Sequence, residues 1–202
     1  MKFLIGIFLF SVSFAQTTLA SPWNLESDDD GIKVFSRSYP NSSIIGFKGI
    51  GTIDVPFDQI FNTIVDTKNY NKWMPLVEGT RVLKKESKVS QIIYLHVGMP
   101  WPVKDRYFIN EGKAHRQKDG SYIVDIKSIP WDGTSEDKVE GWTTKSYFKI
   151  SPVDGGKRTA ITLELNQDPK GAVPAFLVNW VQSSWPREFF ENIVDYNHSQ
   201  KI

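Results

Sequence analysis

Two turn signals, Asp119-Gly120 and Asp154-Gly155-Gly156, each stand between runs that alternate apolar and polar residues. This repeated pattern most narrows the folds open to the chain, because an Asp-Gly turn takes the backbone twist that matches an antiparallel strand pair. The first turn joins 107–116 to 121–129, where Tyr122, Val124 and Ile126 share a face. The second joins 144–150, where Phe148 aligns with Ile150, to 159–165, where Ile161, Leu163 and Leu165 align. Residues 89–97 alternate as well, with Ile93, Leu95 and Val97 on one face and Ile92 and Tyr94 on the other. Upstream, 32–39 reads as a first strand after a polar turn at 27–31. A second strand over 44–55 presents Ile45, Phe47, Gly49, Gly51, Ile53 and Val55 on one face. Two glycines on a buried face mark a bend or a close approach.

Helical spacing appears twice. After Pro56, the residues Phe57, Ile60, Phe61, Ile64 and Val65 form one stripe, and Tyr70, Trp73 and Met74 follow on a shorter helical turn ended by Pro75. Residues 174–198 read as a long helix, with Pro174 in its first turn and Val173, Phe176, Leu177, Trp180 and Val181 on one apolar face. Pro186 should kink it, and Phe189, Phe190, Ile193 and Val194 beyond it point about 150° away on the helical wheel. The order is two strands, a helical insert, about five antiparallel strands and one long C-terminal helix, an α+β chain of one domain.

The first twenty residues have another character. Lys2 precedes an apolar run over 3–14, and Ala15 and Ala20 close two small-residue exits, the pattern of a secretory signal peptide. The run is too short to span a bilayer. Cleavage after Ala20 is expected to leave residues 21–202 as one exported, periplasmic or secreted, domain. The chain has no cysteine, which excludes a lipoprotein anchor, disulfides, thiolate metal sites and cysteine nucleophiles. It must therefore hold together by core packing, for which it carries 13 Phe, 7 Trp and 7 Tyr. Its 24 basic and 23 acidic residues give no electrostatic case for nucleic acid. Loss of the leader removes one base and no acid.

Catalytic motifs of hydrolases, zinc peptidases and P-loop enzymes are absent from the sequence. His96, His115 and His198 lack metal-ligand spacing. Position 12 counted from Asp28 is Tyr39 rather than Glu, so the acidic run 28–30 reads as a turn and not a calcium loop. Neither a metal nor a cofactor is called for.

Three segments resemble one family. Residues 99–107, Met-Pro-Trp-Pro-Val-Lys-Asp-Arg-Tyr, resemble the P-W-P-x-x-x-R-D segment of START domains, the lipid-transfer domains related to the steroidogenic acute regulatory protein. Residues 168–179, Asp-Pro-Lys-Gly-Ala-Val-Pro-Ala-Phe-Leu-Val-Asn, resemble the segment leading into that family's C-terminal helix, and 30–37 resembles its first strand. They occur in family order over nearly all of 23–198. Tyr107 stands where the family dipeptide has Asp. The arginine that several animal sterol-binding members place a few residues further on is also absent, its place falling near Glu111 and Gly112.

The resemblance implies a helix-grip fold, in which a curved antiparallel sheet holds the C-terminal helix across its mouth, with a tunnel for one lipid-like molecule between them. It implies a cavity wall of Ile93, Tyr94, His96, Tyr122, Val124, Phe148 and Leu163 from the strands, with Leu177, Trp180, Val181 and Ser184 from the helix. Trp101 becomes the lid candidate. Arg106 becomes the head-group candidate, although an arginine there ordinarily pairs with a carboxylate such as Asp105 or Glu111. The expected function is binding and transport of a lipid or other hydrophobic small molecule by a monomer, without catalysis, with transient membrane contact and Pro186 as a hinge. The alternatives are a polyketide cyclase/aromatase-type enzyme using His96, Tyr94 and Glu111, and an open groove that takes a partner's helix.

Overall fold

The computed structural model describes residues 21–40, 42–133 and 137–200; the leader expected over 1–20 lies outside them. In chain order the elements are β1 (Asn24–Asp29), β2 (Ile32–Ser38), β3 (Ile45–Ile53), α1 (Phe57–Val65), a 3-10 turn (Thr67–Lys72), β4 (Val77–Ser87) and β5 (Ser90–Val97). There follow β6 (Arg106–Arg116), β7 (Tyr122–Ser128), β8 (Val139–Glu140), β9 (Trp142–Thr143), β10 (Ser146–Val153), β11 (Arg158–Asp168), α2 (Ala175–Ser183) and α3 (Trp185–Ser199). Nine strands run in the order β1-β2-β3-β11-β10-β7-β6-β5-β4, while β8 pairs with β6 and β9 with β11. Pairing is antiparallel except between β6 and β8. The α+β helix-grip architecture is what the sequence predicts.

Three details differ, each for a physical reason. The helical insert follows the third strand, not the second, because β1 occupies most of the expected turn. The chain reverses only at Asp30 and Gly31, with φ of 53° and 76°. β4 is the second addition. Both β1 and β4 are edge strands with wet faces, so neither carries the alternation that a half-buried strand shows. Their charges and register shifts are the devices that blunt a sheet edge and bend it. Third, the C-terminal helix is divided at Ser184, and Pro186 sits in the first turn of α3, where its missing N–H costs nothing.

The concave face of the sheet is covered unequally. α3 presses on β3, where a Cβ at Gly49 would stand 2.9 Å from the Phe190 ring and 3.2 Å from Pro186, and one at Gly51 3.1 Å from Phe190. Close approach explains this glycine pair. Phe148 stacks on Phe189 at 5.5 Å, and Trp73 and Trp185 pack on the same ring at 5.5 and 5.7 Å. Trp185 donates its indole N–H to the Pro75 carbonyl, 3.1 Å away, and Thr63 of α1 donates to Asn197 of α3 at 2.9 Å. Under α3 and α1 the face is filled by bulky aromatic groups. Over the rest of the face α2 sets Leu177, Val178 and Val181, and these aliphatic groups leave space.

Candidate functional site

That space is a cavity of about 130 Å³, room for on the order of ten waters. Strand alternation builds its wall. Ile93, Leu95 and Val97 face it from β5, while Phe108, Asn110, Gly112 and Ala114 face it from β6. Val124 and Ile126 of β7, Phe148 of β10 and Leu165 of β11 continue the wall, and Val173, Leu177, Val178, Val181 and Trp185 close it from above. Its few polar groups are mostly engaged. Gln91 donates to the Val65 carbonyl at 3.0 Å and accepts from Thr67 at 3.0 Å, and Lys88 donates to Asn62 at 2.8 Å. The Tyr70 hydroxyl donates to the Ile64 carbonyl at 2.6 Å, and burial pushes its pKa far up, so the phenol stays neutral. Neither a carboxylate nor a histidine is among the lining residues.

Leu76, Met99 and Leu177 line both the cavity and an outer recess whose other walls include Glu78, His96, Pro100, Asp105, Phe176 and Trp180. This recess is the mouth. His96 Nε2 lies 2.7 Å from Asp105 Oδ2, and the Met99 N–H donates to Asp105 Oδ1 at 2.9 Å, so Asp105 ties down the 98–105 loop. Burial works to raise the Asp105 pKa, but these hydrogen bonds outweigh it and hold the carboxyl below its usual range. Asp168 behaves alike: burial raises it, while Lys170, Ser43 and the Lys170 N–H lower it further. A carboxyl with a depressed folded pKa contributes stability above its unfolded value of about 4, and that contribution is lost as pH falls through the folded value. Amide NMR signals of Met99 and Lys170 are therefore expected to titrate below about pH 4, ahead of core-strand signals. Movement only with global unfolding would contradict this.

Of the residues anticipated from sequence, Ile93, Val124, Phe148, Leu177 and Val181 line the cavity. His96 and Trp180 line the mouth. Tyr94 does not face inward: it stacks on Tyr107 at 5.6 Å in a second cluster with Ile92 and Ile109 on the other face of the sheet. Tyr122 lies beneath α1, 4.1 Å from the Phe61 ring. Leu163 is fully buried in the packed half, and Ser184 marks the helix break rather than the wall. Glu111 pairs with Lys113 at 2.7 Å and Lys127 at 3.4 Å in an outer groove away from the cavity.

Trp101 is 93 % exposed beside the mouth. Arg106 spends its guanidinium on backbone carbonyls rather than on Asp105 or Glu111. It is 2 % exposed and donates to the carbonyls of Pro169 and Lys170 at 3.1 Å each, to Ala172 at 3.5 Å and to Lys104. Two left-handed residues, Lys170 (φ 52°) and Gly171 (φ 65°), turn these carbonyls inward. The segments 99–107 and 168–179, remote in sequence, thus meet through one guanidinium that fixes the start of α2. No group of three metal-ligating side chains occurs among the described residues, and no helix among them is long and apolar enough to cross a membrane.

Residues 53–194 match the model of a family described as polyketide cyclase / dehydrase and lipid transport. An uncharacterized protein of Pseudomonas aeruginosa is 28% identical over 167 residues, 82% of this chain and 81% of that one. The mouse StAR-related lipid transfer protein 7, mitochondrial, is 21% identical over 179 residues, 85% of this chain. The chain spans about half, 48%, of that relative's length. A solved STAR-related lipid transfer protein of Xanthomonas axonopodis superposes with a TM-score of 0.76 at 24% identity, covering 87% of this chain and 98% of that one.

Proposed function

Because the chain belongs to the polyketide cyclase / dehydrase and lipid transport family, we propose that it binds one lipid or other hydrophobic small molecule under α2 and carries it without transforming it. One observation carries the reading: the same concave face is packed with aromatic rings under α3 and left open, with an apolar wall, under α2. Such a space removes a hydrocarbon from water at about 0.8 kcal/mol per methylene. The three groups that a cyclase reading would use do not converge. His96 lies at the mouth, while Tyr94 and Glu111 lie on surfaces away from the cavity.

Exchange requires α2 to lift. Its residues are mostly exposed or half-buried, with only Leu177 buried, whereas α3 is anchored by Trp185, Phe189, Phe190 and Ile193. The break at Ser184 and Pro186 is the hinge of this reading. Trp101 and Phe176, 93 % and 67 % exposed, flank the mouth and would enter a bilayer during delivery. The apolar leader expected over 1–20 supports an exported compartment for this work. Transfer of an NBD-labelled single-chain lipid between phosphatidylcholine vesicles tests the exchange step. Joint replacement Trp101→Ser and Phe176→Ser is expected to slow transfer at least tenfold, about 1.4 kcal/mol, since even partial insertion of two side chains worth roughly 1.5–3 kcal/mol each when fully buried reaches that, with equilibrium binding kept. Pro186→Ala should change the release rate with the fold intact. Unaltered rates in both variants would remove the membrane and hinge steps.

A further inference from the structure

The cavity wall holds an amide whose donor is wholly unspent. Asn110 is 4 % exposed, faces the cavity from β6 opposite Ile93, and accepts a hydrogen bond at Oδ1 from the Ser128 hydroxyl at 2.9 Å. The Ser128 oxygen itself accepts the Thr143 N–H at 2.8 Å. That relay orients the amide, because the single hydroxyl hydrogen of Ser128 goes to Oδ1 and turns Nδ2 away from β7. Among the described residues Nδ2 donates to no protein acceptor, and the atom stays open to the cavity. A donor open to the cavity and without a protein partner gives a ligand oxygen one net hydrogen bond. A chain of hydrogen bonds into Oδ1 also polarises the amide and strengthens its donors.

Charge then selects among oxygens. Lys88 is the only cation of the lining, and its ammonium is held by Asn62. The Arg106 guanidinium is committed to backbone carbonyls. A carboxylate or phosphate at Asn110 would be a buried charge without a counterion. We infer that the cavity takes a neutral lipid bearing a carbonyl or hydroxyl oxygen part-way along an otherwise apolar body, and that Asn110 Nδ2 donates to that oxygen. This rests on the cavity-binding reading above.

The test is displacement of the neutral fluorophore N-phenyl-1-naphthylamine from the full chain by undecane, 2-undecanone and undecanoate at pH 8. The ketone is expected to displace about fivefold more effectively than the alkane, as one net hydrogen bond allows, and undecanoate less effectively than the ketone. In Asn110→Ala the ketone's advantage over the alkane should vanish. Equal displacement by ketone and alkane in the unaltered protein, an advantage that persists in Asn110→Ala, or preference for the carboxylate would each overturn the inference and leave cavity binding standing. The first comparison needs no variant, so a folding defect in Asn110→Ala cannot hide the answer. Failure of the fluorophore and all three compounds to bind would overturn cavity binding itself, and this inference with it.

Discussion

Replacing Gly112 by phenylalanine is expected to close the cavity to ligand while leaving the fold intact. Gly112 faces the cavity between Asn110 and Ala114, and a Cβ built there meets no atom within 4 Å. Its φ is not in the left-handed region, so a side chain brings no backbone strain. A benzyl group would occupy much of a 130 Å³ space and bury its own apolar surface. Binding of N-phenyl-1-naphthylamine should weaken by well over tenfold. The thermal midpoint should hold or rise by roughly 2–4 °C for each kcal/mol that cavity filling adds. Undiminished binding by a folded Gly112→Phe protein would place the ligand elsewhere. The contrast with Gly49 is instructive: there a side chain strikes Phe190 and Pro186 and would unseat α3, so two glycines on the same concave face answer opposite needs.

Arg106→Met is expected to be the most destabilising single change near the mouth. Methionine keeps the hydrophobic stem but strands carbonyls of the 168–172 turn that now accept from a charged donor. Hydrogen bonds to charged groups contribute about 1.5–3 kcal/mol each. Partial rehydration of the turn reduces the sum, and a loss of about 3 kcal/mol is the expected value, a fall of roughly 6–12 °C in the thermal midpoint. Arg106→Lys retains the charge but not the fork that reaches several carbonyls at once, and should recover less than half of the loss. Burial pushes the guanidinium's pKa down, against the pull of Asp105, yet a group so basic stays charged at any ordinary pH. The effect should therefore not vary between pH 6 and 9. A change within about 1 kcal/mol would show that the turn holds itself, through Asp168 with Ser43 and Lys170.

Much of this fold is legible wherever one face of a strand is dry. β5, β7, β10 and β11 announce themselves because Ile93 and Leu95, Val124 and Ile126, Phe148 and Ile150, and Ile161 to Leu165 must all point one way. β1 and β4 stay silent because water wets their faces and alternation has nothing to record. β6 is half hidden for the opposite reason: its cavity positions are Phe108, Asn110, Gly112 and Ala114, and an asparagine and a glycine at inward positions break the apolar rhythm. Those two interruptions are the residues that give the site its donor and its space. Tyr94 shows the limit of reading a fully buried strand, since β5 is apolar on both faces and only the segment after β7, with Ile129 and Trp131 packed on Tyr94 and its neighbours, reveals why. Arg106 could not be placed from local sequence, because three of its four carbonyl partners, those of Pro169, Lys170 and Ala172, come from 63 and more residues away.

The most direct measurement is native mass spectrometry of the protein purified from the cells that express it, followed by solvent extraction of whatever it carries. The account predicts one neutral, oxygen-bearing lipid per chain, lost from the Gly112→Phe protein. A chain that emerges empty and also excludes N-phenyl-1-naphthylamine would contradict it.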